Sequence, residues 1–335
     1  MDTFTHGVLG ACLAELLGNR ESGKKILWIG AVAQNFPDID VMAALWLDPA
    51  ANVLAHRGIT HSFLFVILSA PLLALIINRM WPALGSFRFW AFFLTSQFLI
   101  HDLIDGFNAY GTGWLEPFIH TRYAFHALFV ADPLFSIPLL VGTLILIFQR
   151  TTARRKYRET SIALTISLGY LVVCLFLRDS IHHQAEADLQ KQNLTYQEVI
   201  VTPTPFNSML WFIATRGEAG SYVGYRSVWD RETEIQYQFF PRNDSLLTGS
   251  TRHAEIENLK RFSQGFYTVE QQGDTLLFND LRFGQMLGWQ NPRAGFVFHY
   301  YLQPDLDNTV VLQRGRFAGW DGEATRQFFN RILGQ

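Results

Sequence analysis

Charge is scarce in this sequence. Only 17 % of its 335 residues are Asp, Glu, Lys or Arg, against roughly 25 % in an average soluble protein. The formal net charge is −2, so there is no basic excess with which to hold nucleic acid. Cysteine is almost missing as well. Cys12 and Cys174 lie in separate apolar stretches, which excludes a disulfide framework and a thiolate zinc site. The chain opens on Asp2 rather than a basic stretch, so a cleaved signal peptide is not expected. Internal repeats and low-complexity tracts are absent too.

What the chain has in quantity is hydrophobic side chains, 49 % of the total. The mean hydropathy of +0.10 conceals a division. Residues 1–178 are strongly apolar, whereas 179–335 have the composition of a soluble domain. Four stretches in the first part approach the length of about 20 apolar residues that crosses a bilayer: 62–78, 87–104, 128–148 and 161–177. Two shorter ones, 4–17 and 26–36, suit half-buried helices or tilted spans. Past 179 a polar connector leads into short alternating runs at 198–201, 209–215, 221–228, 233–240, 265–269, 275–278, 296–302 and 309–312. Gly, Pro, Asn and Asp separate them, as strands and turns require. Helical patterns at 252–262 and 322–333 complete the set. The expected fold is an α-helical membrane domain of about four spans plus two short N-terminal helices, followed by a soluble α+β domain with a largely antiparallel sheet.

The loops between the apolar stretches alternate in charge. One set carries Arg20, Lys24, Lys25, Arg79, Arg88, Arg150, Arg154, Arg155, Lys156 and Arg158; the other, 38–58 and 105–127, carries only Arg57 and Arg122. Basic loops stay in the cytoplasm. The expectation is therefore a multi-pass protein of a bacterial inner membrane with residues 179–335 on the non-cytoplasmic side.

The charge that remains in the apolar half is concentrated in short His and Asp clusters. They are Thr5-His6, Pro37-Asp38-Ile39-Asp40, His56-Arg57-Gly58-Ile59-Thr60-His61-Ser62 and His101-Asp102-Leu103-Ile104-Asp105. Ionisable groups beside a bilayer are costly unless paired or bound to metal, and imidazole with carboxylate is the ligand set of zinc and the harder divalent ions. On the charge-based topology every cluster falls at the outward end of its helix.

His101 and Asp105 are one helical turn apart and share a face; a metal can bridge them, and so can an ion pair or a cap at Gly106. Asp38 and Asp40 follow helix-ending Pro37 and suit one ion or two, although acidic residues also open helices as caps. In the 56–62 cluster, two imidazoles stand at a helix entry, Thr60 or Ser62 can cap, Gly58 permits close backbone approach, and Arg57 suits an anionic oxygen. His6 alone reads as a core histidine; its outward position makes it a ligand candidate. Asp132, near one end of an apolar stretch, fits a group that orients a ligand imidazole or accepts a proton, as does Asp102. His120, His126, Asp48 and Glu116 share the outward face as loop residues, and His182 and His183 follow the last apolar stretch. The turns at 203–207 and 280–284 carry no nucleophile or acid–base pair.

In this combination and order, the four clusters resemble the YdjM/YbcI family of inner-membrane-associated metal-dependent hydrolases over about residues 1–150. The resemblance implies a membrane protein with a hydrolase-like metal site and, for some members, binding of the LexA repressor. The His/Asp layout is faintly similar to zinc-dependent phospholipase C, which lacks the 56–62 segment. The reading is a metal-dependent hydrolase of an ester or phosphoester, acting on a membrane lipid or lipid-linked substrate. His6, Asp38, Asp40, His56, His61, His101 and Asp105 are the expected ligands, with zinc first and manganese or magnesium as alternatives. Arg57 is expected to hold the substrate, and Asp102 or Asp132 to serve as acid–base group. Two other classes fit parts of the pattern. A transporter would place its His and Asp at mid-span or on both sides. A non-catalytic scaffold or repressor-binding protein would need no metal.

Overall fold

The computed structural model describes residues 1–18, 24–149, 152–231, 234–248, 250–273, 275–302 and 320–335. The expected strand at 309–312 lies outside the described residues, as do Arg20 and Arg150 of the basic loops. The chain divides into two compact units: Met1–Leu45 with Ala55–Cys174, and Trp46–Leu54 with Leu175–Gln335. The sequence alone places a single cut at 178/179 and gives no sign that a short segment between two His/Asp clusters belongs with the second unit.

The first unit is helical. Its elements are α1 (Thr3–Leu17), α2 (Lys25–Gln34), a 3₁₀ segment (Pro37–Leu45), a 3₁₀ turn (Ile59–His61), α4 (Phe63–Met80), α5 (Phe87–Asp105) and α6 (Pro133–Phe148), with α3 (Pro49–Ala55) lying in the intervening stretch. The long helix α7 (Ala153–Lys191) runs on into the second unit. Side-chain caps set several starts: Asp2 accepts from Thr5 N, Ser62 from Phe65 N and Ser86 from Phe89 N, each satisfying a donor that the first helical turn leaves open. The core is built from Ala11, Ala14, Ile26, Leu27, Val66, Ala70, Ala74, Trp90, Phe93 and Phe98. Small residues on α1, α2 and α4 leave room for the aromatic rings of α5. At Gly10 a Cβ would lie 2.3 Å from the carbonyl oxygen of Gly30, so α1 and α2 touch backbone to backbone.

Among the described residues two helices, Phe63–Met80 and Ala153–Lys191, are long and apolar enough to cross a membrane. This corrects the expectation of four clear spans. The 128–148 stretch is interrupted at Asp132, which caps a helix of only 16 residues; at 1.5 Å per residue that is about 24 Å, short of the roughly 30 Å hydrocarbon layer. Helix α5 has the length, but Arg88, His101, Asp102 and Asp105 lie within it.

The second unit holds two antiparallel sheets. One has the order β1 (Glu198–Pro203), β2 (Leu210–Arg216), β3 (Gly220–Ser227), β4 (Gln238–Pro241); the other β5 (Tyr267–Gln272), β6 (Thr275–Gln285), β7 (Phe296–Tyr301). Val201 pairs with Ile213 and Phe212 with Tyr225 in the first sheet. Ile200, Phe212, Ala214 and Val223 pack with Phe266, Leu281 and Phe296 to join the sheets in one core. On the other side Ile181, Ala185 and Leu189 of α7 pack on Val199, Val201, Trp211 and Ile213. Among the described residues, helices α8 (His253–Phe262) and α9 (Gly322–Ile332) also belong to this unit. The strand expected at 233–240 is reduced to its last residues.

Candidate metal centre

All four His/Asp clusters reach one place in the first unit. His6 comes from the first turn of α1, Asp38 and Asp40 from the 3₁₀ segment after α2, His56 to His61 from the approach to α4, and His101, Asp102 and Asp105 from the last turn of α5. His6, His61, His101, Asp102 and Asp105 are completely buried.

Four of these side chains share a point. Asp38 Oδ1, His61 Nε2, His101 Nε2 and Asp105 Oδ2 stand within 4.8 Å of one another. Individual separations are 3.0 Å between the two imidazole nitrogens, 3.3 Å from His61 to Asp38, 3.6 Å from His61 to Asp105, and 3.7 and 3.8 Å from His101 to Asp38 and Asp105. Ligands at about 2 Å from a tetrahedral ion stand about 3.3 Å apart. The observed separations bracket that value.

Tautomers sharpen the point. His101 Nδ1 lies 2.5 Å from the carbonyl oxygen of Gln34; a carbonyl only accepts, so Nδ1 carries the proton. Thr60 Oγ1 donates to Asp40 Oδ2 at 2.6 Å, and His61 Nδ1 faces the same pair, at 3.1 Å from Thr60 Oγ1 and 3.3 Å from Asp40 Oδ2. Its proton therefore points at the carboxylate. Two neutral imidazoles in these tautomers aim their Nε2 lone pairs at each other. Asp38 Oδ1 and Asp105 Oδ2 are buried; His61 Nε2 stands 3.3 Å from the first and Arg57 Nε 3.0 Å from the second. Two imidazole nitrogens and two carboxylate oxygens converging at this spacing are a fit for a divalent cation.

In the protein's own charge balance a proton takes that place. Burial pushes the His61 imidazole down, but hydrogen bonds to Asp38 and Asp40 outweigh it and hold His61 above the ordinary imidazole value. Burial works in the opposite sense on Asp38 and Asp40. Hydrogen bonds from His61 to Asp38, and from His56 and His61 to Asp40, prevail and keep both carboxyls far below the usual carboxylate range.

The surrounding groups hold the four in place. Asp40 accepts from His56 Nδ1 at 2.8 Å, from the Arg57 backbone N–H at 2.8 Å and from Thr60. Arg57 sits at φ 59°, a left-handed conformation uncommon outside glycine. The Arg57 side chain is buried, with Nε 3.0 Å from Asp105 Oδ2, Nη1 donating to Asn108 Oδ1 at 2.8 Å and Nη2 to the Met1 carbonyl. His6 Nε2 lies 3.1 Å from Asp105 Oδ1, which also meets the α-amino group of Met1, and the His6 ring stacks on His101. A second trio, Asp38, Asp40 and His56, also has metal-ligating spacing.

The two acid–base candidates part company here. Both carboxylate oxygens of Asp102 are buried without a hydrogen bond among the described residues. Asp132 is engaged elsewhere: Oδ1 accepts from Leu134 N at 2.9 Å, and Oδ2 accepts from Tyr170 Oη at 2.9 Å. His120 pairs with Glu116 and Asp48 caps α3. Sequence reasoning missed Asn108 and the Gln34 carbonyl. Asn108 stands three residues past Asp105, a spacing that could have found it; a backbone carbonyl leaves no such trace. The backbone that presents Asp38 and Asp40 is a 3₁₀ helix. Three residues per turn put Pro37, Asp40 and Ala43 in one buried row.

A family model described as the YdjM inner membrane protein matches residues 1–181, the stretch that carries every residue of the centre. This chain belongs to the YdjM inner membrane protein family. Over 122 residues, 36 % of the chain and 69 % of the relative, it is 35 % identical to inner membrane protein YbcI of Escherichia coli (strain K12). It is 28 % identical over 232 residues, 67 % of the chain and 68 % of the relative, to the uncharacterized protein YfhP of Bacillus subtilis (strain 168). No solved structure matches it. Membership of the YdjM family makes this an inner membrane protein and leaves its chemistry to be argued from the site.

Proposed function

We propose that this YdjM-family protein is a metal-dependent hydrolase of an ester or phosphoester at the outer membrane–water interface, with a lipid headgroup or lipid-linked compound as substrate. The observation that carries the reading is the pair of buried imidazole Nε2 atoms 3.0 Å apart, with carboxylate oxygens of Asp38 and Asp105 at metal-ligating spacing around them. Asp38, His61, His101 and Asp105 hold the ion, with zinc favoured by the His and Asp set and the near-tetrahedral spacing, and manganese or magnesium as alternatives. A divalent ion supplies Lewis acidity there, polarising a substrate oxygen and making water acidic enough to attack near neutral pH.

The rest is done by the chain. Asp40 and the Gln34 carbonyl fix the tautomers of His61 and His101. Arg57 and His6 hold Asp105, so the guanidinium expected to meet substrate serves first to position a ligand. Asp102, whose carboxyl burial pushes up to about 8, takes the proton of the attacking water in its ionised form; both oxygens of Asp132 are already bonded, Oδ1 to the first turn of α6 and Oδ2 to Tyr170. The second trio offers a further ion a site sharing Asp38. Arg79 at the end of the first candidate span and Arg88 beyond it, with Arg154, Arg155, Lys156 and Arg158 at the start of the second, support a cytoplasmic 81–152 segment and a non-cytoplasmic C-terminal unit.

Metal analysis of detergent-purified protein tests the reading. The expected result is at least one equivalent of divalent ion per chain, two if the second trio fills, and hydrolysis of a phosphoester or carboxylic ester. His101→Ala combined with Asp105→Ala should remove both metal and activity while the helical content persists. Protein that stays metal-free after incubation with zinc, manganese and magnesium would sink the hydrolase reading in favour of a non-catalytic scaffold.

A further inference from the structure

The 3₁₀ segment that supplies Asp38 and Asp40 carries an opposite surface with no evident use in water. Ile39, Val41, Met42 and Leu45 are 45, 63, 51 and 77 % exposed. The three-residue period accounts for both properties at once. Pro37, Asp40 and Ala43 form the buried row, Asp38 turns its carboxylate into the centre, and Ile39, Val41, Met42 and Leu45 face outward. Four large aliphatic side chains exposed on nine residues beside a polar site mark an interaction surface.

That surface continues into a membrane face. The 3₁₀ segment packs on the Ile59–His61 turn, and the turn packs on α4. Ile59 is 57 % exposed at the junction, and α4 continues outward with Ile67, Leu68 and Leu72 at 67, 63 and 59 %. Because α4 is long and apolar enough to cross the bilayer of an inner membrane protein, its outward residues meet acyl chains. No Lys or Arg occurs between residues 26 and 56, so the segment has no cation for adsorption to anionic headgroups. Its contact with a membrane is insertion of apolar side chains.

Resting on the hydrolase reading, we propose that the substrate is a phospholipid that enters the centre from within the bilayer, its acyl chain lying on the Ile39, Val41, Met42 and Leu45 face. Asp38 and Asp40 alternate with those side chains, so the depth at which the chain lies brings its ester groups level with the carboxylates. A water-soluble ester would have no use for this face.

The test uses the full chain in nanodiscs of phosphatidylethanolamine and phosphatidylglycerol, doped with a phospholipid bearing a photoactivatable diazirine in its acyl chain. Mass spectrometry of the cross-linked protein should find adducts within residues 39–45 and at Ile59, in addition to α4. Adducts confined to α4 and α7, or cross-links from 39–45 to a second copy of the chain, would overturn the proposal. A second arm compares Val41→Ser with Leu45→Ser against the unaltered chain. Metal content should hold, and the preference for a long-chain phospholipid over its short-chain analogue, as a ratio of kcat/KM, should fall at least tenfold; an unchanged ratio counts against the acyl-chain face. Protein that cross-links at 39–45 but binds no metal would leave the lipid contact standing and remove the hydrolase reading alone. Metal and hydrolysis without adducts at 39–45 would do the reverse.

Discussion

A histidine ligates through the nitrogen that carries no proton, so the residues that settle its tautomer matter as much as the imidazole. Here that task falls on Asp40, whose Oδ2 faces His61 Nδ1 at 3.3 Å and accepts from Thr60 Oγ1 at 2.6 Å. Loss of such an outer partner weakens metal binding about 10–100-fold. Asp40→Asn should therefore lower zinc affinity within that range without abolishing binding, as read by competition with a chromophoric chelator. Asp132→Asn is the control. Its bonds go to α6 and Tyr170, and Asn caps a helix nearly as well as Asp, so affinity should stay within about twofold of the unaltered chain, inside the usual scatter for distant sites. A large loss with Asp132→Asn would reinstate it as part of the centre. Equal, complete losses for Asp40→Asn and His101→Ala would make Asp40 a direct ligand.

At the scale of elements, the centre exists because four helix ends are brought level, and contacts far from the ligands do the levelling. Gly10 and Gly30 are the tightest: a Cβ at Gly10 would sit 2.3 Å from Gly30 O, and one at Gly30 2.4 Å from Gly10 O. Gly10→Ala must push α1 from α2, at a cost of about 1–3 kcal/mol for overpacking. It should lower thermal stability and also metal affinity, because His6 and the Asp38 segment move with those helices; unchanged melting would show that the approach is slack. This helps explain what was legible in the sequence. The clusters announced themselves, since ionisable groups at helix ends in an apolar chain are conspicuous. Ser62 as the cap of α4 was readable beside Thr60, which turned out to bond Asp40. The number of spans was not readable, because Asp132 looks like an intramembrane charge until its place as an N-cap is seen. Nor was the grouping of Trp46–Leu54 with the second unit, since nothing in a short apolar stretch says which core it joins. Strands β1 to β3 and β5 to β7 were legible as short apolar runs between Gly, Pro, Asn and Asp, although β1 and β2 are buried on both faces, against α7 on one and the second sheet on the other.

For the molecule as a whole, the centre ties stability and metal content to pH in opposite directions. In metal-free protein His61 has a raised folded pKa, so its contribution is complete below the unfolded imidazole value of about 6.5 and is lost as pH rises through the folded value. Asp38 and Asp40 have depressed folded values. Their contribution is present above the unfolded carboxyl value of about 3.9 and is lost as pH falls through the folded ones. Metal-free protein should therefore melt highest between about pH 4 and 6.5, and lose stability on the alkaline side as the proton between His61 and His101 leaves two lone pairs facing each other. A divalent ion needs that proton gone. Its affinity should thus rise with pH across the range in which the metal-free protein weakens, so the stabilisation by saturating zinc should be small near pH 5.5 and increase steadily towards pH 8. Thermal melts of chelator-treated and zinc-loaded protein in the same detergent, taken in half-unit steps of pH, give both curves. Parallel curves would mean that the ion does not replace the His61 proton and that the four-residue centre is wrongly composed. Converging curves at low pH, with the gap opening above neutrality, are the outcome the geometry requires.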